Sequence, residues 1–196
     1  TLLQIEEDLA AHTQKFSENL LDATNEFELI ITDAARLEGL PKSARQAAEQ
    51  DAKEHGYGTK QEPAWRFTLQ TPSYLAVMQY AEDENLRKEM WKAQTAVGKS
   101  PQYDNAELIW QILELRQKKA GLLGRANFAE LVLERRMVGS ASNVRNFIED
   151  FYGRIKSQFD QEVRDLEHFK ATKTGTSLEY LKPWEKAFYA EKKRQA

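Results

Sequence analysis

The sequence predicts a mainly α-helical fold: a multi-helical, bundle-like lobe with one very long helix and a small two-stranded β ribbon. Three observations carry that expectation. Apolar residues recur at intervals of three or four through most of the 196 residues, the period of an amphipathic helix. The pattern turns to short β-type runs only over about 27–32 and 64–70. Five Pro and nine Gly are few, which leaves room for long uninterrupted elements.

The elements follow in order. Leu2, Ile5, Leu9, His12, Phe16 and Leu20 form one stripe of a first helix. Phe27, Leu29 and Ile31 then alternate with their neighbours as a short strand. Pro41 suits a first helical turn, Ala44, Ala47, Ala48 and Ala52 favour helix, and His55-Gly56-Tyr57-Gly58 ends it. Arg66 to Leu69 reads as a second strand, pairing antiparallel with the first because neither is stable alone. Thr71 as N-cap and Pro72 at the first turn open a helix carrying Tyr74, Leu75, Met78 and Ala81. Asp83 caps the next one, with Leu86, Met90 and Trp91 inward.

Gly98 to Tyr103 is a loop. Asp104 with Glu107 resembles a capping box ahead of the stripe Leu108, Ile112, Leu115 and Leu122, and Gly124 closes that helix. Asn127 caps a short segment from Phe128 to Glu134. The strongest signal is last. After Ser140, Val144, Ile148, Phe151, Ile155, Phe159, Val163, Leu166 and Phe169 recur at helical spacing. A helix of ~30 residues would be ~45 Å long, and its stripe calls for a large partner surface. Thr174-Gly175-Thr176 breaks it, and Pro183-Trp184 begins the final helical stretch.

Composition excludes several functions. A net charge of −3 argues against nucleic-acid binding, because phosphate-neutralising domains are basic. The short basic runs Arg116-Gln117-Lys118-Lys119 and Lys192-Lys193-Arg194 are flanked by acids and read as solvated helix faces. No stretch approaches the ~20 apolar residues of a membrane span, and no secretory signal is present. The absence of Cys removes disulfides, thiolate nucleophiles and Cys-type metal sites, and suits a cytoplasmic protein.

Metal chemistry is tested by the three histidines. An H-E-x-x-H helix sets two His one turn apart with a Glu between them as general base. His12, His55 and His168 each lack a second His nearby. Asp165 with His168 is a single i, i+3 pair where a di-iron bundle needs several, and Asp51, Glu54 and His55 form a helix-end cluster. His12 lies in an apolar stripe and reads as structural. No phosphate-binding glycine loop or nucleophile elbow occurs. No catalytic, metal or substrate-binding residue is assigned within the chain.

Ordered strings nevertheless resemble one family. Phe16-Ser17-Glu18-Asn19 with Leu21-Asp22-Ala23-Thr24 is similar to the oligopeptidase A and thimet oligopeptidase family of zinc metallopeptidases. So are Phe67-Thr68-Leu69 with Pro72-Ser73-Tyr74-Leu75, Leu122-Leu123-Gly124 with Asn127-Phe128, and Pro183-Trp184-Glu185 with Phe188-Tyr189. The order and spacing agree along essentially the whole chain. The resemblance implies a helical enzyme holding short peptides in a deep channel between two lobes. Its zinc ligands and H-E-x-x-H motif belong downstream of the matched region. Where the family tends to Trp-Asp and Tyr-Tyr, this chain has Glu185 and Phe188, so packing by Trp184 and Tyr189 is expected and a polar role at those two positions is not.

The expectation is therefore a single helical region over 1–196, a fragment of a larger two-lobed cytoplasmic peptidase. Chain ends that fall inside helical patterns agree with an excised piece. The zinc-binding catalytic half would be its partner in the same chain, with zinc in the parent enzyme and none here. Short peptides are the expected substrates, with no nucleic acid, no membrane and a monomeric state. A stand-alone helical module for partner helices or peptides, and a coiled-coil dimer along Val144 to Phe169, stay open on the residues alone.

Overall fold

The computed structural model describes residues 1–59 and 61–196. Eight α-helices and one two-stranded sheet occur among the described residues: α1 Leu2–Glu26, β1 Glu28–Ile31, α2 Lys42–Glu54, β2 Trp65–Thr68, α3 Thr71–Tyr80, α4 Glu84–Ala96, α5 Ala106–Leu122, α6 Phe128–Leu133, α7 Ala141–Thr174 and α8 Lys186–Gln195. They pack as two compact units. The first holds residues 1–20 and 98–161; the second holds 21–97 and 162–196.

The second unit contains the main core. β1 and β2 pair antiparallel, with Leu29 opposite Phe67 and Ile31 opposite Trp65. Phe67 and Ile31 are buried, and α2 and α3 cover the ribbon as a two-stranded sheet requires. Leu37, Leu40, Ala48, Val77, Met78, Leu86 and Met90 complete this core. A 3-10 turn at Ala34–Leu37, unmarked by periodicity, places Leu37 there; the Asp33 side chain accepts the Ala35 N–H at 2.9 Å to start it. Gly39 follows with φ +82°, and a Cβ there would sit 2.3 Å from the Tyr80 carbonyl oxygen. Only glycine fits that corner.

In the first unit, α1 turns the predicted stripe inward and buries Asn19. Asn19 Nδ2 donates to Asn105 Oδ1 at 2.9 Å, and Asn105 Nδ2 donates to the Phe16 carbonyl at 3.1 Å. Those bonds correct the predicted capping box. Asn105 occupies the cap position but spends its side chain on α1, while Asp104 Oδ1 takes the Ala106 N–H. The caps at Asp83, Asn127 and Ser140 are as expected. Gly124 at φ +70° ends α5 with the Arg125 N–H on the Ala120 carbonyl.

Other expectations need adjustment. Pro41 sits at the cap of α2 rather than in its first turn. Thr71 is already helical and caps nothing; Ser73 Oγ instead accepts the Thr68 N–H and closes the strand-to-helix corner. Leu75 and Leu122 are exposed, not core. α8 starts at Lys186, because the Glu185 side chain turns back onto the Lys182 N–H and holds 183–185 in a turn. The largest difference lies in α7. It is 34 residues long, but its apolar stripe is half-covered only at Val144 and from Val163 onward, while Ile148, Phe151, Ile155 and Phe159 stand open.

Candidate functional site

The three histidines sit apart, each tied to its own helix or left in solvent. His12 Nδ1 lies 2.6 Å from the Asp8 carbonyl oxygen. His55 Nδ1 is 2.8 Å from the Asp51 carbonyl and 3.3 Å from its carboxylate. His168 is exposed, and neighbouring Asp165 pairs with Lys193 at 3.8 Å. Glu54 accepts from Gln50. Among the described residues no three His, Asp or Glu side chains converge on one point. A zinc site takes three or four such ligands, so the residues present do not fit a resident zinc ion.

A buried polar cluster joins the end of α7, the turn before α8 and α4 within the second unit. Lys170 Nζ reaches Glu185 at 2.9 Å, and Glu185 Oε2 also accepts the Lys182 N–H at 2.8 Å. Arg87 is buried: Nη1 donates to the carbonyls of Ala81 and Glu82, and Nε donates to the Trp184 carbonyl. Its guanidinium carbon lies 4.0 Å from the Phe188 ring centroid, and burial lowers its pKa. Glu84 takes the Trp184 indole N–H and the Lys182 ammonium at 3.0 Å each. Those two bonds hold its carboxyl below the ordinary range. The expectation for Glu185 is thus overturned: it has a polar role, as the anchor of the turn. Phe188 and Tyr189 pack edge to face at 5.2 Å, and Trp184 tilts against Trp91 at 5.4 Å, as predicted for packing residues.

α2, β2 and α3 enclose a groove of about 600 Å³ in the same unit, with Ala44, Ala47, Phe67, Leu75 and Ala76 among its walls. Arg66 and Asp51 are its charged members. Arg66 Nη1 donates to Asp51 at 2.7 Å and Nε to Glu28 at 2.8 Å, so the cation is spent inside the fold. Tyr57 donates its hydroxyl to Glu28, and that bond, with Arg66, lowers the Glu28 pKa.

The first unit differs by what it leaves open. Ile109, Trp110 and Leu113 on α5 are exposed, as are Phe147, Ile148, Phe151, Tyr152, Ile155 and Phe159 on α7. Phe147 and Phe151 stack on each other at 6.2 Å. The short basic runs are tied to acids, with Lys119 on Glu6, Lys192 on Glu82 and Arg194 on Glu191. No helix among the described residues is long and apolar enough to cross a membrane.

Sequence reasoning located Trp184 and Tyr189 but missed the partners that lock them. Arg87 and Lys170 are charges on otherwise ordinary amphipathic helices. Nothing local marks the bonds that reach the 182–185 turn, because Trp184 lies 97 residues from Arg87 and Glu185 lies 15 from Lys170.

Comparison with known proteins gives the family of this helical scaffold. A model of Peptidase family M3 matches residues 77–196, and the chain belongs to that family. "Probable cytosolic oligopeptidase A" of Arabidopsis thaliana is 36% identical over 195 residues, covering 98% of this chain and 28% of the relative. "Organellar oligopeptidase A, chloroplastic/mitochondrial" of the same plant is 36% identical over 195 residues, covering 98% and 24%. Oligopeptidase A of Haemophilus influenzae is 38% identical over 192 residues, covering 95% and 27%. The chain therefore spans about a quarter of the length of the curated relatives it matches.

Proposed function

We propose that this chain is the channel-forming helical region of an intracellular, cytoplasmic zinc metalloendopeptidase that hydrolyses short peptides. The observation that supports it best is the M3 family match over 77–196, joined to identity with oligopeptidase A along nearly the whole chain. In this reading the chain is one helical region of a larger two-lobed enzyme, and its partner is the catalytic half of the same polypeptide. Zinc resides in that half and supplies the Lewis acid there. No step of hydrolysis is assigned to residues of this chain.

Its contribution is geometric. Long helices such as α1 and α7 wall one side of a channel whose width admits short unfolded peptides and excludes folded proteins. The staple around Glu185, Lys170 and Arg87 keeps the wall rigid where α8 leaves α7. The working state is a monomer, with no nucleic-acid or membrane partner.

The test uses the purified 196-residue chain beside the full-length polypeptide that contains it, with an internally quenched peptide and metal analysis by atomic emission. The full-length protein is expected to carry stoichiometric zinc and to cleave the peptide until a chelator is added. The 196-residue chain is expected to do neither. Chelator-sensitive cleavage by the short chain, surviving controls for contaminating protease, overturns the proposal.

A further inference from the structure

We infer that the open apolar arc of α7, from Phe147 to Phe159, is a packing face for polypeptide of the same longer protein and not part of the substrate-contacting wall. This rests on the reading of the chain as one region of a longer M3 peptidase. Phe147, Ile148, Phe151, Tyr152, Ile155 and Phe159 are between 42% and 68% exposed. At ~200 Å² per large side chain they leave on the order of 600 Å² of apolar surface open, at the top of what a monomer shows without a use for it.

Three features choose the occupant. At 100° per residue the six positions span an arc of roughly 140°. A two-stranded coiled coil uses a narrower seam, so a second copy laid along α7 would cover only part of this one. A peptide substrate bound in extended form needs a free strand edge or a groove, and a convex helix with its backbone already bonded offers neither. Continued polypeptide of the relatives' length supplies several elements at once, since three-quarters of those proteins lies outside the match. The occupant is thus apolar polypeptide from the part of the longer protein outside the match.

Thiol accessibility tests this directly, because the chain has no cysteine. Phe151→Cys and Ile155→Cys report on the arc, and Ser157→Cys, on the opposite side of α7 and exposed, is the control. Each is made in the 196-residue chain and in the full-length polypeptide, and labelling is mapped by peptide mass spectrometry. In the short chain all three are expected to react at similar rates, independent of protein concentration. In the full-length protein Cys labelling at 151 and 155 is expected to slow at least tenfold, while 157 stays reactive, with or without peptide substrate. Equal reactivity in both proteins overturns the inference. So does protection that grows with the concentration of the short chain, which identifies a second copy, or protection that appears only with peptide, which identifies a substrate wall. Zinc content and peptide cleavage are read on the same full-length samples. Protection without activity removes the functional reading and leaves this one; activity without protection does the reverse.

Discussion

Lys170 Nζ lies 2.9 Å from both carboxylate oxygens of Glu185, with the lysine side chain 11% and the glutamate side chain 3% exposed. A pair so nearly sealed from water repays its desolvation only while both partners are present. Lys170→Met strands the carboxylate and is expected to cost about 3 kcal/mol in urea unfolding. Adding Glu185→Gln removes the stranded charge, keeps an acceptor for the Lys182 N–H, and is expected to recover most of the loss. A double variant no better than the single one shows that the pair does not act as a unit.

Gly39 and Gly56 separate backbone strain from collision. Both have φ near +80°, but a Cβ on Gly39 meets the Tyr80 carbonyl whereas one on Gly56 meets nothing within 4 Å. Gly56→Ala is expected to cost about 1 kcal/mol, from the left-handed backbone alone. Gly39→Ala costs more, about 3 kcal/mol, because the 34–40 turn has to move off α3. Equal losses would mean that the corner yields freely.

Core truncation gives a contrast between the two units. Phe67 is 1% exposed and packs at the centre of the second unit, so Phe67→Ala costs ~3–5 kcal/mol. Phe159 is 56% exposed, so Phe159→Ala in the 196-residue chain changes stability by less than about 0.5 kcal/mol. In the full-length polypeptide the same substitution is expected to destabilise by several times that amount. Calorimetric melting of both proteins checks the pair of values.

Acid sensitivity follows from carboxyls whose pKa is lowered in the fold. The Arg194 guanidinium takes Glu191 from 4.5 to about 2, and Trp184 with Lys182 lowers Glu84. A lowered folded-state pKa means that the unfolded chain binds more protons in the window from about 4.5 down to about 2. Stability is complete above that window and falls as pH drops through it. Urea midpoints are expected to be level near neutrality and to decline below about pH 4.5. Glu84→Gln keeps an acceptor for the Trp184 indole and shallows the decline. An unchanged slope for that variant removes Glu84 from the acid response.

Local chemistry explains which parts the sequence disclosed. The Asn127 and Ser140 caps and the Gly124 stop are decided by neighbours within a turn or two, and they and the two strands lie where spacing and residue type put them. The stripe of α7 was equally plain, yet period says only that a face is apolar, not whether anything in the same chain covers it. Asn105 shows a different limit: its cap position was one residue from the reading, because a buried partner on α1 claims its side chain. Glu185 marks a third. Substitution of Glu where relatives of the family tend to Asp suggested a lost role, while the longer side chain in fact reaches both Lys170 and the Lys182 amide.

The placement of the tryptophans sets what an optical experiment on this protein sees. Trp65, Trp91 and Trp184 belong to the second unit, and the latter two are in ring contact. Trp110 alone belongs to the first unit and is already 66% exposed when folded. Intrinsic emission therefore shifts to the red when the second unit melts and barely changes when the first does. A steady long-wavelength component, open to quenching by acrylamide under native conditions, belongs to Trp110, and its loss of quenching in the full-length protein would report cover arriving over α5.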